Sequence, residues 1–232
     1  MSMSHAVSGW ASESPTPAQL KEFFSQIDSG RITKGRLQAF LRGETTDKGI
    51  EQRKEEWAEF YQKYFGIELD FSNIRIPKRQ SGFDRLIIVA RGLTLNQVYS
   101  VLAKHVPCWR YTDDLDKAVT SNDRDPKDST YAIWVRDRQE ADEENKNLSA
   151  NQLKEQDCQG ITLLERLFYE LKYWDETKKR LDVDNLTLCT GSRDGGGRVP
   201  GVDWRSDYRK VYVNWYSLDS ANDYLRSRSV VS

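Results

Sequence analysis

Residues 82–91 read GFDRLIIVAR, and the run Leu86 to Val89 inside it is where the chain changes character. Three β-branched residues in an unbroken apolar run, bounded by Gly82 and Gly92, predict a strand buried on both faces. Upstream of it, apolar residues recur at helical spacing. Downstream, short apolar runs alternate with helix-start signals. Helices gathered at the front and strands behind them predict an α+β fold rather than a regular βαβ repeat.

Working back from that strand, Asp47 to Phe65 carries Ile50, Trp57, Phe60, Tyr61 and Tyr64 at helical spacing, and Gly66 stops it. A shorter helix is expected from Thr33, with Leu37, Phe40 and Leu41 inward and Gly43 as terminator. A third starts at Thr16-Pro17-Ala18-Gln19, where Thr16 can cap and Pro17 needs no N–H partner. Its apolar face is Leu20, Phe23, Phe24 and Ile27. Residues 1–15 are expected to be a flexible lead-in.

Working forward, Thr94-Leu95-Asn96-Gln97 is a capping box opening a helix to about Lys104. YAIWV (131–135) reads as a second strand. Two further boxes start at Ser149 and Thr162, and Leu164, Leu167, Phe168, Leu171 and Trp174 form one stripe behind the latter. NLTLCT (185–190) and KVYVNWY (210–216) read as strands flanking a Gly-rich loop, and Asp219 is expected to open a last short helix. The expected architecture is an N-terminal segment of about three helices, residues 16–66, packed on a mixed or antiparallel sheet with flanking helices, residues 82–232. About four strands and five to seven helices are expected. The seam falls between Gly66 and Gly82, although one continuous domain also fits the pattern.

The 232 residues suffice for a core without disulfides or a structural metal. Lys plus Arg (35) nearly balance Asp plus Glu (36), which argues against general attraction to nucleic acid or an anionic membrane. The distribution is uneven: residues 75–110 carry a net +6, and residues 111–160 a net −6. Cys108, Cys158 and Cys189 are odd in number and lack CxxC spacing, so neither a disulfide framework nor a structural zinc is expected. No run of about 18 apolar residues predicts a membrane helix, and Met1 to Trp10 shows neither the basic n-region nor the apolar h-region expected of a signal peptide. A cytoplasmic location is the expectation.

Four features carry candidate chemistry. CWRYTDDLDKAVTSNDRDP (108–126) holds Asp113, Asp114, Asp116, Asp123 and Asp125, hard oxygen ligands of the kind Mg²⁺ or Ca²⁺ takes. Converging carboxylates would let such an ion activate water for phosphoester hydrolysis. The spacing does not match a calcium loop, and a solvated acidic loop with Asx-turns is the plainer reading. GSRDGGGRVPG (191–201) would cradle an anion with backbone N–H groups and Arg193 or Arg198. It lacks the phosphate-loop signatures, so a flexible connection between strands is the plainer reading. Trp109-Arg110, Trp134 with Arg136, and Trp204-Arg205 pair aromatic and guanidinium groups that would stack on bases, with Arg75, Lys78, Arg79 and Arg85 tracking phosphates. Trp134, inside YAIWV, reads as core.

The front helices also have helix-turn-helix lengths, with Lys34, Arg36 and Arg42 toward DNA, but residues 1–65 carry nine basic and nine acidic residues. A helical hairpin is therefore the better reading. His105 lies near Cys108 at a helix end, without an orienting partner, and reads as structural or surface.

The segments CWRYTDDLDKAVTSNDRDP, YAIWVRDRQEADEENKNLSANQL (131–153) and ITLLERL (161–167) resemble uncharacterised bacterial proteins over most of residues 16–232. That resemblance implies a bacterial type of chain and no activity, cofactor or site residue. With no nucleophile–base arrangement, the residues favour a non-enzymatic binding or regulatory protein for nucleic acid or a small polar ligand. Candidate contacts are Trp109, Arg110, Arg193, Arg198, Trp204 and Arg205, and a protein partner is a further option. The alternative is a divalent-metal-dependent phosphoester hydrolase built on Asp113–Asp125. Cys108 to Pro126, where basic and acidic blocks meet, is the first place to expect a pocket.

Overall fold

A computed structural model of the chain describes residues 15–28, 37 and 47–232. The N-terminal lead-in, the short helix from Thr33 with Lys34, Arg36 and Arg42, and hence the hairpin or helix-turn-helix geometry, lie outside the described residues. The chain divides into two compact units, residues 1–52 and 53–232.

In the first unit, helix α1 (Pro17–Asp28) begins where Thr16 and Gln19 exchange hydrogen bonds of 2.8 and 3.3 Å. Leu20 and Phe24 on its apolar face are 44% and 60% exposed. Helix α2 (Asp47–Phe65) runs across the division, and Gly66 ends it with φ of +66°.

The second unit is an α+β fold. Strand β1 (Arg85–Val89) pairs antiparallel with β4 (Tyr131–Val135), Ile87 opposite Ile133. Residues of α2 one turn apart hold β1: Trp57 Nε1 donates to the Leu86 carbonyl at 3.1 Å, and the Tyr61 hydroxyl donates to that of Ile88 at 2.7 Å. Burial without water makes such bonds obligatory for indole and phenol groups.

Helix α3 (Leu95–His105) leads to β2 (Cys108–Arg110), and a single helical turn, α4 (Leu115–Ala118), leads to β3 (Val119–Asn122). Helices α5 (Ala150–Glu155) and α6 (Leu163–Thr177) follow. The boxes expected at Thr94, Ser149 and Thr162 all form, each with both reciprocal bonds. β5 (Leu186–Leu188), β6 (Ser192–Asp194), β7 (Val199–Arg205), β8 (Lys210–Tyr216) and β9 (Leu225–Ser227) complete the unit. A mixed five-stranded sheet runs β2-β8-β7-β5-β9, with both outer pairs parallel, and β3 pairs antiparallel with β6. Helix α6 supplies the centre of the core, ten successive residues from Leu163 to Lys172 being buried.

The fold class stands, with finer corrections. Nine strands occur among the described residues where about four were expected, because five are the long, late or three- to four-residue segments that composition alone did not mark. The Gly-rich stretch is less a loose connection than two strand ends: β6 lies inside it, and β7 starts at Val199. Asp219 opens no helix. Asn222 instead accepts from the backbone N–H groups of Tyr224 and Leu225, turning the chain into β9. No helix among the described residues is long and apolar enough to cross a membrane.

Candidate functional site

The five-stranded sheet has two unlike faces, set by the two-residue alternation of its strands. On β8, Val211, Val213 and Trp215 join the core with Val202 and Trp204 of β7. The other face carries a row across three strands: Trp109 of β2 opposite Tyr212 of β8, which stands opposite Asp203 of β7. The Trp109 and Tyr212 rings lie 4.8 Å apart, Tyr111 extends the line beyond Trp109 at 6.4 Å, and Tyr208 extends it beyond Tyr212 at 5.5 Å. The Arg205 guanidinium lies over Tyr212, 4.5 Å from its centroid. Tyr111 and Tyr208 at the two ends are 65% and 62% exposed, and the middle rings are half-buried. Four rings thus form a strip that water reaches.

Asp203 lies beside Tyr212, a middle ring of this strip, and is buried. Its Oδ2 accepts from the Tyr224 hydroxyl and from Arg205 Nε at 3.2 Å, while Oδ1 has no partner among the described residues. Burial, then the Asp203 carboxylate, pushes the Tyr224 phenol up, so it stays a donor. Asp203 in turn holds Arg205 over Tyr212.

The six expected contact residues separate. Trp109 and Arg205 meet on the open face through Tyr212. Arg110 and Trp204 point to the opposite side, Arg110 onto Tyr99 at 4.5 Å and to Asn96 at 3.1 Å, Trp204 beneath Arg180 at 5.2 Å. Arg193 donates to the carbonyls of Thr190 and Ser192, and burial lowers its pKa. Arg198 pairs with Asp194 at 2.7 Å. That same Asp194 accepts from the N–H groups of Gly196 and Arg198, at 3.0 and 2.7 Å. The anion cradle expected in the Gly-rich stretch is therefore filled by the chain's own carboxylate.

The five aspartates are not brought together either. Asp116 accepts from the N–H groups of Leu95 and Asn96, at the start of α3, and Asp114 caps α4 and accepts from Asn96 Nδ2 at 2.8 Å. The Asn96 bond, with those from Lys117, pulls the Asp114 carboxyl down to about 2. Asp125 accepts from the Lys127 N–H at 2.9 Å, Asp123 lines a cavity of 470 Å³ with Arg193 and Cys158, and Asp113 is exposed. Among the described residues no three His, Cys, Asp or Glu groups are arranged to hold a metal. Asp116, Thr120 and Asn122 do line a cavity of 480 Å³ at the junction where a pocket was expected.

His105 is stacked on Trp174 at 5.3 Å, and burial pushes the Cys108 thiol up to about 12, leaving it protonated and a poor nucleophile.

Tyr111, Tyr208, Tyr212 and Asp203 escaped the sequence reading. Alternation in KVYVNWY places Lys210, Tyr212, Asn214 and Tyr216 on one face, which is the signal that marks Tyr212. Compared with protein-family models, with curated proteins and with solved structures, the chain matches none. Its function is therefore read from the geometry.

Proposed function

We propose that the chain is a non-enzymatic binding protein whose open sheet face takes single-stranded nucleic acid. The observation that carries this reading is the strip Tyr111–Trp109–Tyr212–Tyr208, with Arg205 over Tyr212. Successive bases offer flat rings to such a strip whatever their sequence. Arg205, Arg209 and Lys210 stand where β7 turns into β8, and supply the positive charge that a backbone of phosphates needs beside the rings. Buried Asp203 supports the face from beneath, its Oδ2 accepting from Arg205 and from the Tyr224 hydroxyl. A cytoplasmic setting accords with the three free cysteines, as expected for a chain that meets nucleic acid in a reducing compartment.

Fluorescence anisotropy with a labelled oligonucleotide tests the reading. Affinity should fall with salt by a log–log slope of about −0.7 for each phosphate engaged. Trp109→Ala should weaken binding about tenfold, the worth of one stacked base. Absence of binding at low salt, or binding indifferent to Trp109→Ala, overturns it. Salt-independent binding to a glycan instead would assign the same rings to sugars.

A further inference from the structure

A further cavity, of 680 Å³, lies between residues 75–80, β4 with the loop preceding it, and residues 231–232, and its size is that of a small-molecule site. Arg75, Lys78 and Arg124 line it, together with Thr130 and Tyr131, and Asp125 is the one acidic side chain in its wall. The wall is built rather than accidental. Trp134 Nε1 donates to the Pro77 carbonyl at 2.8 Å, which pins the segment carrying Arg75 and Lys78 against β4. Arg124 is held from behind: its Nε and Nη2 fork onto Glu165 at 2.7 and 2.9 Å, and Nη2 also reaches the Gly160 carbonyl. Glu165 is fully buried in the capping box of α6, so this fork cannot swing away.

The charges of this cavity are unbalanced. Asp125 is turned onto Lys127, 3.3 Å away. Glu165 answers Arg124 alone, and the Nη1 of Arg124 makes no hydrogen bond among the described residues. Arg75 and Lys78 are both exposed, and neither has an ion pair or hydrogen bond among the described residues. Arg85, Arg136, Arg166 and Arg228, by contrast, each face a carboxylate. Arg75 and Lys78 thus bring two cations without a carboxylate partner to the cavity, beside an Arg124 whose charge Glu165 already answers, and an anion seated among them would complete the set. An Arg fork beside a Lys point charge suits a multiply charged tetrahedral oxyanion better than a single carboxylate. The Tyr131 hydroxyl lies buried behind the same wall, beside Glu165.

We infer that this cavity is a binding site for a phosphate-bearing small molecule, held by Arg75, Lys78 and Arg124 and separate from the aromatic face. Thermal melting of the full chain with inorganic pyrophosphate, against sodium chloride at matched ionic strength, tests it. Pyrophosphate should raise Tm where chloride does not, because a ligand of the folded state stabilises it by mass action. Lys78→Gln and Arg75→Gln, both away from the Glu165 fork, should keep the unliganded Tm and weaken pyrophosphate binding about tenfold each. Trp109→Ala should leave the pyrophosphate shift intact. A larger rise with adenosine 5′-diphosphate than with pyrophosphate would name a nucleotide as the source of the phosphate, and an equal rise the phosphate alone. A parent protein shifted no more by pyrophosphate than by chloride overturns the inference. So does an unchanged shift in both Gln variants, or its loss in Trp109→Ala.

Discussion

Arginine meets opposite fates on the two faces of the five-stranded sheet. On the inner face Arg166 and Arg228 converge on Asp182 at 2.7 and 2.6 Å, with Glu170 and the Thr187 hydroxyl completing a cluster that water does not reach. On the outer face Arg205 lies over Tyr212 beside solvent, and its carboxylate partner Asp203 keeps one oxygen free. Inside, two cations and two anions cancel and every bond is directional, so the cluster fixes how α6 sits on the sheet. Outside, the rings of Tyr111 and Tyr208 are left open to solvent. Completeness marks the structural cluster and incompleteness the candidate site.

That contrast can be broken by mutation. The largest effect is expected at Asp182→Asn, which leaves two buried guanidinium groups short of charge and should cost about 3–5 kcal/mol in urea unfolding. A loss below about 1 kcal/mol would mean the inner cluster does not carry the packing. Next come the outer rings: Tyr212→Ala should reduce oligonucleotide affinity by about 1–3 kcal/mol. Its effect on unfolding should be smaller than that of Asp182→Asn, and the reverse order would make the strip structural. Thr162→Ala, which removes the side-chain cap of α6, should cost about 1 kcal/mol in the same unfolding measurement.

The smallest effect is local and depends on pH. Asp114 is held at about 2 against an ordinary 3.8, first by Asn96 and then by Lys117. A carboxyl depressed on folding stabilises above its unfolded pKa and loses that contribution as pH falls through the folded one. The tie between α3 and α4 should therefore loosen between pH 3.8 and about 2. In a carboxyl NMR titration, Asn96→Ala should return Asp114 toward the ordinary value.

Local rules were legible in the sequence. Thr94, Ser149 and Thr162 each announce a helix through a partner three residues on, and all three boxes formed. β1 and β4 declare themselves by continuous apolar runs. What escaped depends on distant partners: Cys108–Arg110 is a strand because Val211–Val213 lies beside it, and nothing within three residues says so. The Trp–Arg pairs misled for a geometric reason. Neighbours on a strand face opposite sides, so Trp109 and Arg110 cannot share a ligand, whereas Trp109 and Arg205 can through a tyrosine more than a hundred residues from Trp109.

The parallel pairing of β2 with β8 sets a schedule for synthesis. Trp109 emerges from the ribosome long before Tyr208 and Tyr212, and its strand has no neighbour to dock on until residue 213 is made. Closing so long a loop is an entropic cost met late in folding. Until then Trp109 and Tyr111 are exposed aromatics on a nascent chain, and any product cut short before β8 lacks the strip entirely. The proposed ligand of this face could therefore find its strip assembled only once β8 has been made.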